Sequence, residues 1–205
     1  MAEKTYISYN NVHKLCQEAA VKIKEFKPDL MIAIGGGGFI PARILRTFIK
    51  EPGAKNIPIQ AIGLSLYEDM GTGDAVEQPG VEVVRTQWLD FTTLSKHSGD
   101  LIGKHILIVD EVDDTRTTLH YAVSELQKDV LEQAKKLGRA HEDTKFFVFV
   151  LHNKDKPKRA ELPKDMMDEG RYLAARTLPD VWIAYPWEAT DIEEHTANAI
   201  KQGNN

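Results

Sequence analysis

Cysteine, long apolar runs and excess positive charge are all scarce in this sequence. The 205 residues contain a single cysteine, Cys16, so an intramolecular disulfide is impossible and a reducing, cytoplasmic location is expected. No apolar run reaches the length of about 18 residues that spans a bilayer, and the segment MAEKTYISYN lacks the apolar stretch of a secretory signal. The net charge of −5 gives no electrostatic reason to bind nucleic acid or an acidic membrane.

The rest of the composition is that of one globular domain. With 42% hydrophobic residues and no low-complexity stretch, a chain of 205 residues can bury one sizeable core. Apolar residues recur at helical spacing from Val12 to Phe26 and from Leu119 to Leu137, which predicts two amphipathic helices. The segment IPARILRTF predicts another helix, with Pro41 in its first turn.

Apolar segments that alternate with these helices predict the strands of a sheet. They are DLMIAI, IPIQAIGLSLY, VEVVRTQWL, HILIV (His105–Val109) and KFFVFVL. This alternation is typical of an α/β domain with a twisted, mainly parallel sheet flanked by helices. The last fifty residues break the alternation. We therefore predict one domain over residues 1–205, with a core at about residues 10–150. A smaller hood is predicted at about residues 151–205, together with the N-terminal residues.

Four consecutive glycines follow the first predicted strand. This Gly loop, Gly35–Gly38, lies where ligands bind in open α/β sheets, at the carboxyl end of a strand. Glycines let backbone N–H groups approach an anion closely, although a plain flexible turn is the alternative. The sequence GK[ST] does not follow, so the loop is not a Walker A motif.

Four acidic residues follow the strand His105–Val109: Asp110, Glu111, Asp113 and Asp114. A solvated acidic loop fits poorly, because the first two abut an apolar strand. Adjacent carboxylates accept hydrogen bonds from a vicinal diol and help to hold Mg²⁺ near phosphates. The next residues, TRTT, open a helix whose free N–H groups and hydroxyls suit a monophosphate. Together these features predict a site for ribose 5-phosphate.

The motif ILIVDEVDDTRTT resembles the phosphoribosyl-pyrophosphate (PRPP) signature of the type I phosphoribosyltransferases. The Gly loop is similar to their pyrophosphate loop, and SLYED to the start of their mobile catalytic loop. WIAYPWE resembles the base-binding hood of the 6-oxopurine branch. Longer phrases such as RTQWLDF and LHNKDKPKRA are similar to the fungal xanthine and hypoxanthine-guanine enzymes, with the xanthine type favoured. The likeness covers nearly the whole chain.

This resemblance implies a reaction in purine salvage. A 6-oxopurine displaces pyrophosphate from PRPP in the presence of Mg²⁺ and becomes a nucleoside 5′-monophosphate. Xanthine is the favoured substrate, and guanine and hypoxanthine remain open. The family also implies a homodimer. Two other interpretations are a Walker B strand of an ATPase, weakened by the missing GK[ST], and a non-catalytic nucleotide sensor on the same fold.

The resemblance also implies a role for individual residues. Asp110 and Glu111 would hold the ribose hydroxyls and, with Glu188, the metal. The 5′-phosphate would be held by Asp114, Thr115, Arg116, Thr117 and Thr118, and the pyrophosphate by Gly35, Gly36 and Gly37, across a cis peptide bond. The base would be recognised by Lys154, Trp182 and Ile183, with Lys156 as the alternative to Lys154. Asp114 would be the general base, and Tyr67 would close over the leaving group.

One residue departs from the common motif. Arg116 stands where most of the superfamily has glycine. Because only glycine adopts a positive φ at little cost, we expect that this turn does not require one.

Overall fold

The structure, a computed structural model, describes residues 4–67, 82–91, 94 and 99–205. Its strands are β1 (Lys4–Tyr6), β2 (Leu30–Gly35), β3 (Ile59–Tyr67), β4 (Glu82–Gln87), β5 (His105–Asp113), β6 (Lys145–Asp155), β7 (Tyr172–Pro179) and β8 (Trp182–Ala184). The main sheet has the order β4-β3-β2-β5-β6-β7 and is parallel except between β3 and β4. A small parallel sheet joins β1 to β8.

The described helices include those predicted from apolar spacing. They are α1 (Tyr9–Phe26), α2 (Phe39–Ile49), α3 (Thr117–Lys136), α4 (Lys164–Asp168) and α5 (Ile192–Lys201), with a 3₁₀ helix at Pro186–Glu188. Helix α1 begins where the Ser8 hydroxyl accepts a hydrogen bond from the N–H of Asn11 at 3.0 Å, an ordinary N-cap. Across the described residues, every helix is too short or too polar to cross a bilayer.

Helices cover both faces of the main sheet. On the central strand β2, Ile32 and Ile34 belong to one buried cluster with the apolar side of α3. Met31 and Ala33, which point the other way, belong to a second cluster with α1 and α2. Burial on both faces explains why β2 is a continuous apolar run, and it confirms the predicted α/β class.

Strand β5 is longer than predicted, and this changes the position of the acidic residues. The apolar run ends at Val109, which is also the last residue paired with β2. Pairing with β6 continues beyond it, through Asp110 to Asp113. Asp110, Glu111 and Asp113 therefore project from a strand rather than from a loop, and their backbone is held by the sheet.

The main sheet extends past residue 150. Strand β7 comes from the last fifty residues and pairs with β6 in parallel, from Tyr172 opposite Val148 to Pro179 opposite Asp155. The small sheet of β1 and β8 brings the N-terminal segment against the C-terminal one, with Thr5 opposite Ile183.

The expected catalytic loop lies outside the described residues, at 68–81. Tyr67 is the last residue of β3, where it pairs with Glu82 of β4. The closing role expected of Tyr67 stays a prediction.

Candidate active site

A cleft of about 350 Å³ lies at the carboxyl ends of β2, β3 and β5. This is the edge at which open α/β sheets bind ligands. Residues predicted from separate segments meet in its lining: Gly35, Asp110, Glu111, Asp114, Thr115, Arg116 and Thr118. The glycine, acidic and threonine motifs therefore form one site.

The glycines of the Gly loop differ in what a side chain would meet. A Cβ on Gly38 would lie 2.3 Å from the carbonyl oxygen of Val109 and 2.6 Å from that of Ile34. A Cβ on Gly37 would lie 1.9 Å from the carboxyl carbon of Glu111. Around Gly36, no described atom lies within 4 Å of that position. The peptide bond between Gly35 and Gly36 is cis, as the resemblance implied.

We predict that alanine at Gly38 and at Gly37 has different consequences. Gly38→Ala places a methyl group against two backbone carbonyls that cannot rotate away, and should lower the free energy of unfolding by about 1–3 kcal/mol. Gly37→Ala meets only the end of the Glu111 side chain, so the protein should fold normally but bind PRPP more weakly. Urea denaturation and PRPP titration of both variants measure the two effects. Equal free energies of unfolding for the two variants would contradict the prediction that only Gly38 is required for backbone packing.

Asp110 and Glu111 form a closely spaced pair of carboxyl groups. The Asp110 side chain is buried and accepts a hydrogen bond from the N–H of Glu111 at 2.9 Å. Burial, followed by the negative charge of Glu111, raises the pKa of Asp110 well above its usual range. A cation beside these carboxyls would favour their ionised form.

Arg116 adopts a positive φ, so the expectation for this turn is wrong. Its φ is 69° and its ψ −1°, in the left-handed region, immediately before α3. Nε and Nη2 of Arg116 donate to Oδ2 of Asp113 at 3.0 and 2.8 Å, and the guanidinium lies 4.9 Å from the ring centroid of Tyr172. These contacts offset the unfavourable backbone, which costs about 1–2 kcal/mol for a residue with a Cβ.

Asp113 is the anchor of this arrangement, and the sequence analysis gave it no role. Its side chain is fully buried, and Oδ2 also accepts a hydrogen bond from the Tyr172 hydroxyl at 2.6 Å. Arg116 itself could have indicated this role, because a residue with a Cβ in place of glycine needs a compensating partner. Asp113, three residues earlier, is the acid that the turn brings to it.

We predict that Arg116→Gly is more stable than Arg116→Ala by about 1 kcal/mol. Both variants leave Asp113 without its guanidinium partner, so their difference isolates the left-handed backbone. The free energies of unfolding of the two variants measure it directly. Equal values would mean that residue 116 leaves the positive-φ region once the ion pair is lost.

The phosphate turn, Asp114–Thr118, presents hydroxyls and open helix N–H groups. The hydroxyls of Thr115 and Thr117 lie 3.0 Å apart within hydrogen-bonding distance of each other. No side chain among the described residues caps the N-terminus of α3 by a hydrogen bond. The first turn of this 20-residue helix therefore keeps its donors for an anion.

Asp114 lies between two lysines from the end of β6 and the loop after it. Lys156 Nζ is 2.6 Å from Oδ1 of Asp114, and Lys154 Nζ is 3.5 Å from Oδ2. Oδ1 of Asp180 lies 3.0 Å from Nζ of Lys156 and 3.8 Å from Nζ of Lys154. Partial burial raises the pKa of Asp114, but the two lysines outweigh it and the net pKa lies below its usual value. Both lysines face the same acids, so the choice between them stays open.

The residues predicted for the hood lie beside the cleft rather than in its lining. Trp182 is 56% exposed, which argues against a core role, whereas Ile183 is buried. Trp182 and Glu188 line a neighbouring cavity of about 280 Å³, together with Lys4 and Tyr6. Their roles toward the base and the metal remain predictions.

A buried network that the sequence analysis missed connects the hood to the acidic strand. The Tyr185 hydroxyl donates to the backbone carbonyl of Glu111 at 3.0 Å, and Nδ1 of His152 lies 2.9 Å from the same hydroxyl. Burial, followed by the charge of Arg176, lowers the pKa of His152 to about 4, so the imidazole is neutral at physiological pH. Neutral His152 donates to Tyr185 through Nδ1–H, which orders the chain of hydrogen bonds toward Glu111.

Comparisons with known proteins agree with this geometry. The phosphoribosyl transferase domain family matches residues 6–166. The chain is 64% identical over 203 residues to xanthine phosphoribosyltransferase 1 of Saccharomyces cerevisiae, which covers 98% of this chain and 97% of the yeast chain. It is 63% identical over 201 residues to the hypoxanthine-guanine phosphoribosyltransferase of Schizosaccharomyces pombe, with 98% and 96% covered.

A solved structure is also similar over nearly the full length. It is that of a hypothetical protein from Neisseria gonorrhoeae with bound ppGpp, with a TM-score of 0.73, 36% sequence identity and 98% of each chain covered. The fold and the cleft define an α/β domain with a ribose-phosphate site at the carboxyl edge of its sheet. The chain belongs to the phosphoribosyl transferase domain family, and its predicted place in the fungal purine group is confirmed. The ATPase interpretation is therefore set aside.

Proposed function

We propose that this protein transfers the 5-phosphoribosyl group from PRPP to a 6-oxopurine, releasing pyrophosphate and a nucleoside 5′-monophosphate. The observation that carries the proposal is the single cleft in which the Gly loop, the paired acids and the phosphate turn meet. Each motif matches one part of PRPP: the pyrophosphate, the ribose diol and the 5′-phosphate. The two lysines around Asp114 supply the remaining part, a polar site for the base.

The donor set suits Mg²⁺. Asp110 and Glu111 offer oxygen ligands, which this hard cation prefers. Among the described residues, no group of three or more His, Cys, Asp or Glu side chains could hold a metal. Proteins commonly hold Mg²⁺ by one or two carboxylates plus substrate phosphates. Bound there, Mg²⁺ would neutralise charge on the leaving pyrophosphate. Glu188 is proposed as a further ligand once substrate is bound.

The chain itself contributes mainly positioning and electrostatics. Thr115, Thr117, Thr118 and the N-terminus of α3 hold the 5′-phosphate. The carboxylates of Asp110 and Glu111 orient the ribose hydroxyls, and their charge stabilises a ribose that becomes cationic as the bond to pyrophosphate breaks. N–H groups of Gly35, Gly36 and Gly37 receive the pyrophosphate, while Tyr67 closes the site against water.

Asp114 accepts the proton that leaves the purine at nitrogen 7. Its lowered pKa makes it a weak base while Lys154 and Lys156 both lie against it. When one lysine turns to the 6-oxo group of the base, the pKa of Asp114 rises and proton transfer becomes easier.

We predict that Asp114→Asn lowers kcat by about 10²-fold and leaves PRPP binding nearly intact. The effect lies at the low end for a general base, because breaking the ribose bond dominates the barrier. Single-turnover kinetics with saturating substrates measures the chemical step. Full turnover by Asp114→Asn would exclude it as the base.

Xanthine is the proposed preferred base, with hypoxanthine and guanine as alternatives. Sequence identity alone does not decide, since the values are 64% to a xanthine enzyme and 63% to a hypoxanthine-guanine enzyme. These bases differ at carbon 2, where backbone carbonyls near Ile183 and Glu188 are the proposed contacts. The test is kcat/KM for xanthine, hypoxanthine, guanine and adenine with Mg²⁺ and PRPP. A higher kcat/KM for guanine or hypoxanthine than for xanthine would favour a hypoxanthine-guanine phosphoribosyltransferase.

A nucleotide sensor without catalysis is the second candidate. The similar protein from Neisseria gonorrhoeae is described with bound ppGpp, a guanine nucleotide that carries two pyrophosphate groups. Asp114 favours the enzyme, because a pure sensor has no need of a general base. Tight nucleotide binding without nucleotide formation would favour the sensor.

We also propose that the protein acts as a homodimer in the cytoplasm. The proposal for the dimer rests on the family, and that for the compartment on the single buried cysteine, Cys16, whose pKa burial raises to about 12. Light scattering after size-exclusion chromatography tests the dimer. A monomer at micromolar concentration would contradict it.

A further inference from the structure

Lys158 donates hydrogen bonds to both halves of the candidate active site, yet the proposed mechanism gives it no role. Its Nζ donates to the backbone carbonyls of Asp113 at 2.9 Å and Asp114 at 2.8 Å. A further bond, at 2.8 Å, goes to the backbone carbonyl of Lys154. The side chain is only 12% exposed. All three ammonium protons are thus directed at main-chain oxygens.

These carbonyls belong to two different segments. Asp113 ends β5 and Asp114 begins the phosphate turn, whereas Lys154 begins the base-recognition segment, Lys154–Lys156. A separate contact joins the same regions, because the N–H of Arg159 donates to the carbonyl of Thr115 at 2.9 Å. The loop after β6 therefore contacts the backbone of the phosphate turn twice, through the side chain of Lys158 and through the main-chain N–H of Arg159.

We propose that Lys158 is a positioning residue that fixes the distance between the phosphate turn and the base-recognition segment. A nucleoside 5′-monophosphate must reach both at once, with its phosphate on the turn and its base at Lys154 or Lys156. This inference rests on the proposed function, since it takes these two segments as the two ends of the ligand site.

An ammonium group suits this task because it carries three donors on one compact centre. An apolar side chain of similar length would remove all three hydrogen bonds, although the Lys154 carbonyl would keep the one from the N–H of Lys156 at 3.0 Å. It would also remove the cation that lies 3.6 Å from Oδ1 of the buried Asp113. Because pairing of β5 with β6 ends at Asp113, the phosphate turn beyond it would be free to shift relative to Lys154–Lys156. Each half-site would survive, but a ligand that spans them would lose the advantage of binding both together. A displacement of about 1 Å can already lower activity about 10²-fold.

The test is a comparison of three ligands on wild type and Lys158→Met. They are the 5′-monophosphate of the purine that wild type uses, the corresponding nucleoside, and inorganic phosphate. For Lys158→Met we expect the Kd of the monophosphate to rise about tenfold or more, while those of the nucleoside and phosphate change by less than about threefold. Lys164→Met is the matched control, because Lys164 is 87% exposed and pairs only on the surface, with Asp168.

Restoring the ammonium group distinguishes positioning from general damage. Lys158→Cys treated with 2-bromoethylamine forms a thioether as bromide leaves, which rebuilds a side chain of the length and charge of lysine. Cys16, the other cysteine in that variant, is buried and its pKa is raised to about 12, so it should resist the reagent. The alkylated protein should regain affinity for the monophosphate, and Lys158→Cys without reagent should not.

Two results would overturn the inference. One is an equal loss of affinity for all three ligands, which is the signature of a damaged fold. The other is unchanged monophosphate binding by Lys158→Met or by unmodified Lys158→Cys. If wild type binds the monophosphate but makes none, the proposed function fails while the comparison of ligands still decides the role of Lys158.

Discussion

Excess EDTA should lower nucleotide formation by at least about 10³-fold, because several kcal/mol of charge stabilisation at the leaving group is lost. Pyrophosphate departs with a large negative charge, and the described cleft offers it chiefly the N–H groups of the Gly loop. Arg116 is the one cationic side chain among the described residues that line the cleft, and its guanidinium is already bound to Asp113. A bound cation beside Asp110 and Glu111 would supply positive charge that the described lining residues do not offer to the leaving group.

Initial rates with a chelator and after addition of Mg²⁺ measure this requirement. Glu111→Gln should need a higher Mg²⁺ concentration for half-maximal activity, because it removes one carboxylate of the pair. Glu132→Gln is the matched control, since Glu132 is exposed on α3 away from the cleft. Full activity in excess EDTA would show that the reaction does not require Mg²⁺.

Lys154→Met should reduce kcat/KM for every 6-oxopurine by about 10²-fold. This is the effect expected when a hydrogen bond from a charged donor is lost in a partly buried site. An ammonium donor opposite the 6-oxo group also rejects adenine, whose 6-amino group is a second donor. Sites built in this way can reject the mismatched base by about 10⁴-fold or more. Replacing Lys154 should therefore raise the ratio of adenine to 6-oxopurine use as well as lower the overall rate.

Lys156→Met provides the matched comparison, because both lysines contact Asp114 and Asp180. We expect it to have a much smaller effect on the choice of base. Steady-state kcat/KM values for xanthine and adenine, measured on both variants, decide between the two lysines. If Lys156→Met loses discrimination and Lys154→Met keeps it, the recognition lysine is Lys156.

The fold could largely be predicted from the sequence, because each central strand is apolar on both faces. Where prediction was less accurate, polar residues continued a strand. β5 runs on from Val109 to Asp113 through pairing with β6, which the change from apolar to acidic residues conceals. β7 escaped recognition because its burial is partial, and its place is set by pairing with β6 rather than by its own pattern.

The site could be predicted where contacts are local in sequence and not where they are distant. The Gly loop and the run from Asp110 to Thr118 each carry their chemistry in consecutive residues, and the structure places them in one cleft. The bond from Tyr185 to Glu111 and those from Lys158 to Asp113 and Asp114 join residues more than 40 positions apart. No local pattern indicates such pairs.

Purine-dependent release of pyrophosphate, measured together with nucleotide formation, tests the central claim most directly. The protein is incubated with PRPP, Mg²⁺ and xanthine, hypoxanthine or guanine, and both products are quantified from one reaction. We predict that at least one 6-oxopurine yields pyrophosphate and nucleoside 5′-monophosphate in equal amounts over many turnovers. Binding of PRPP and nucleotide with neither product formed, even at stoichiometric enzyme, would contradict the account and leave a nucleotide sensor.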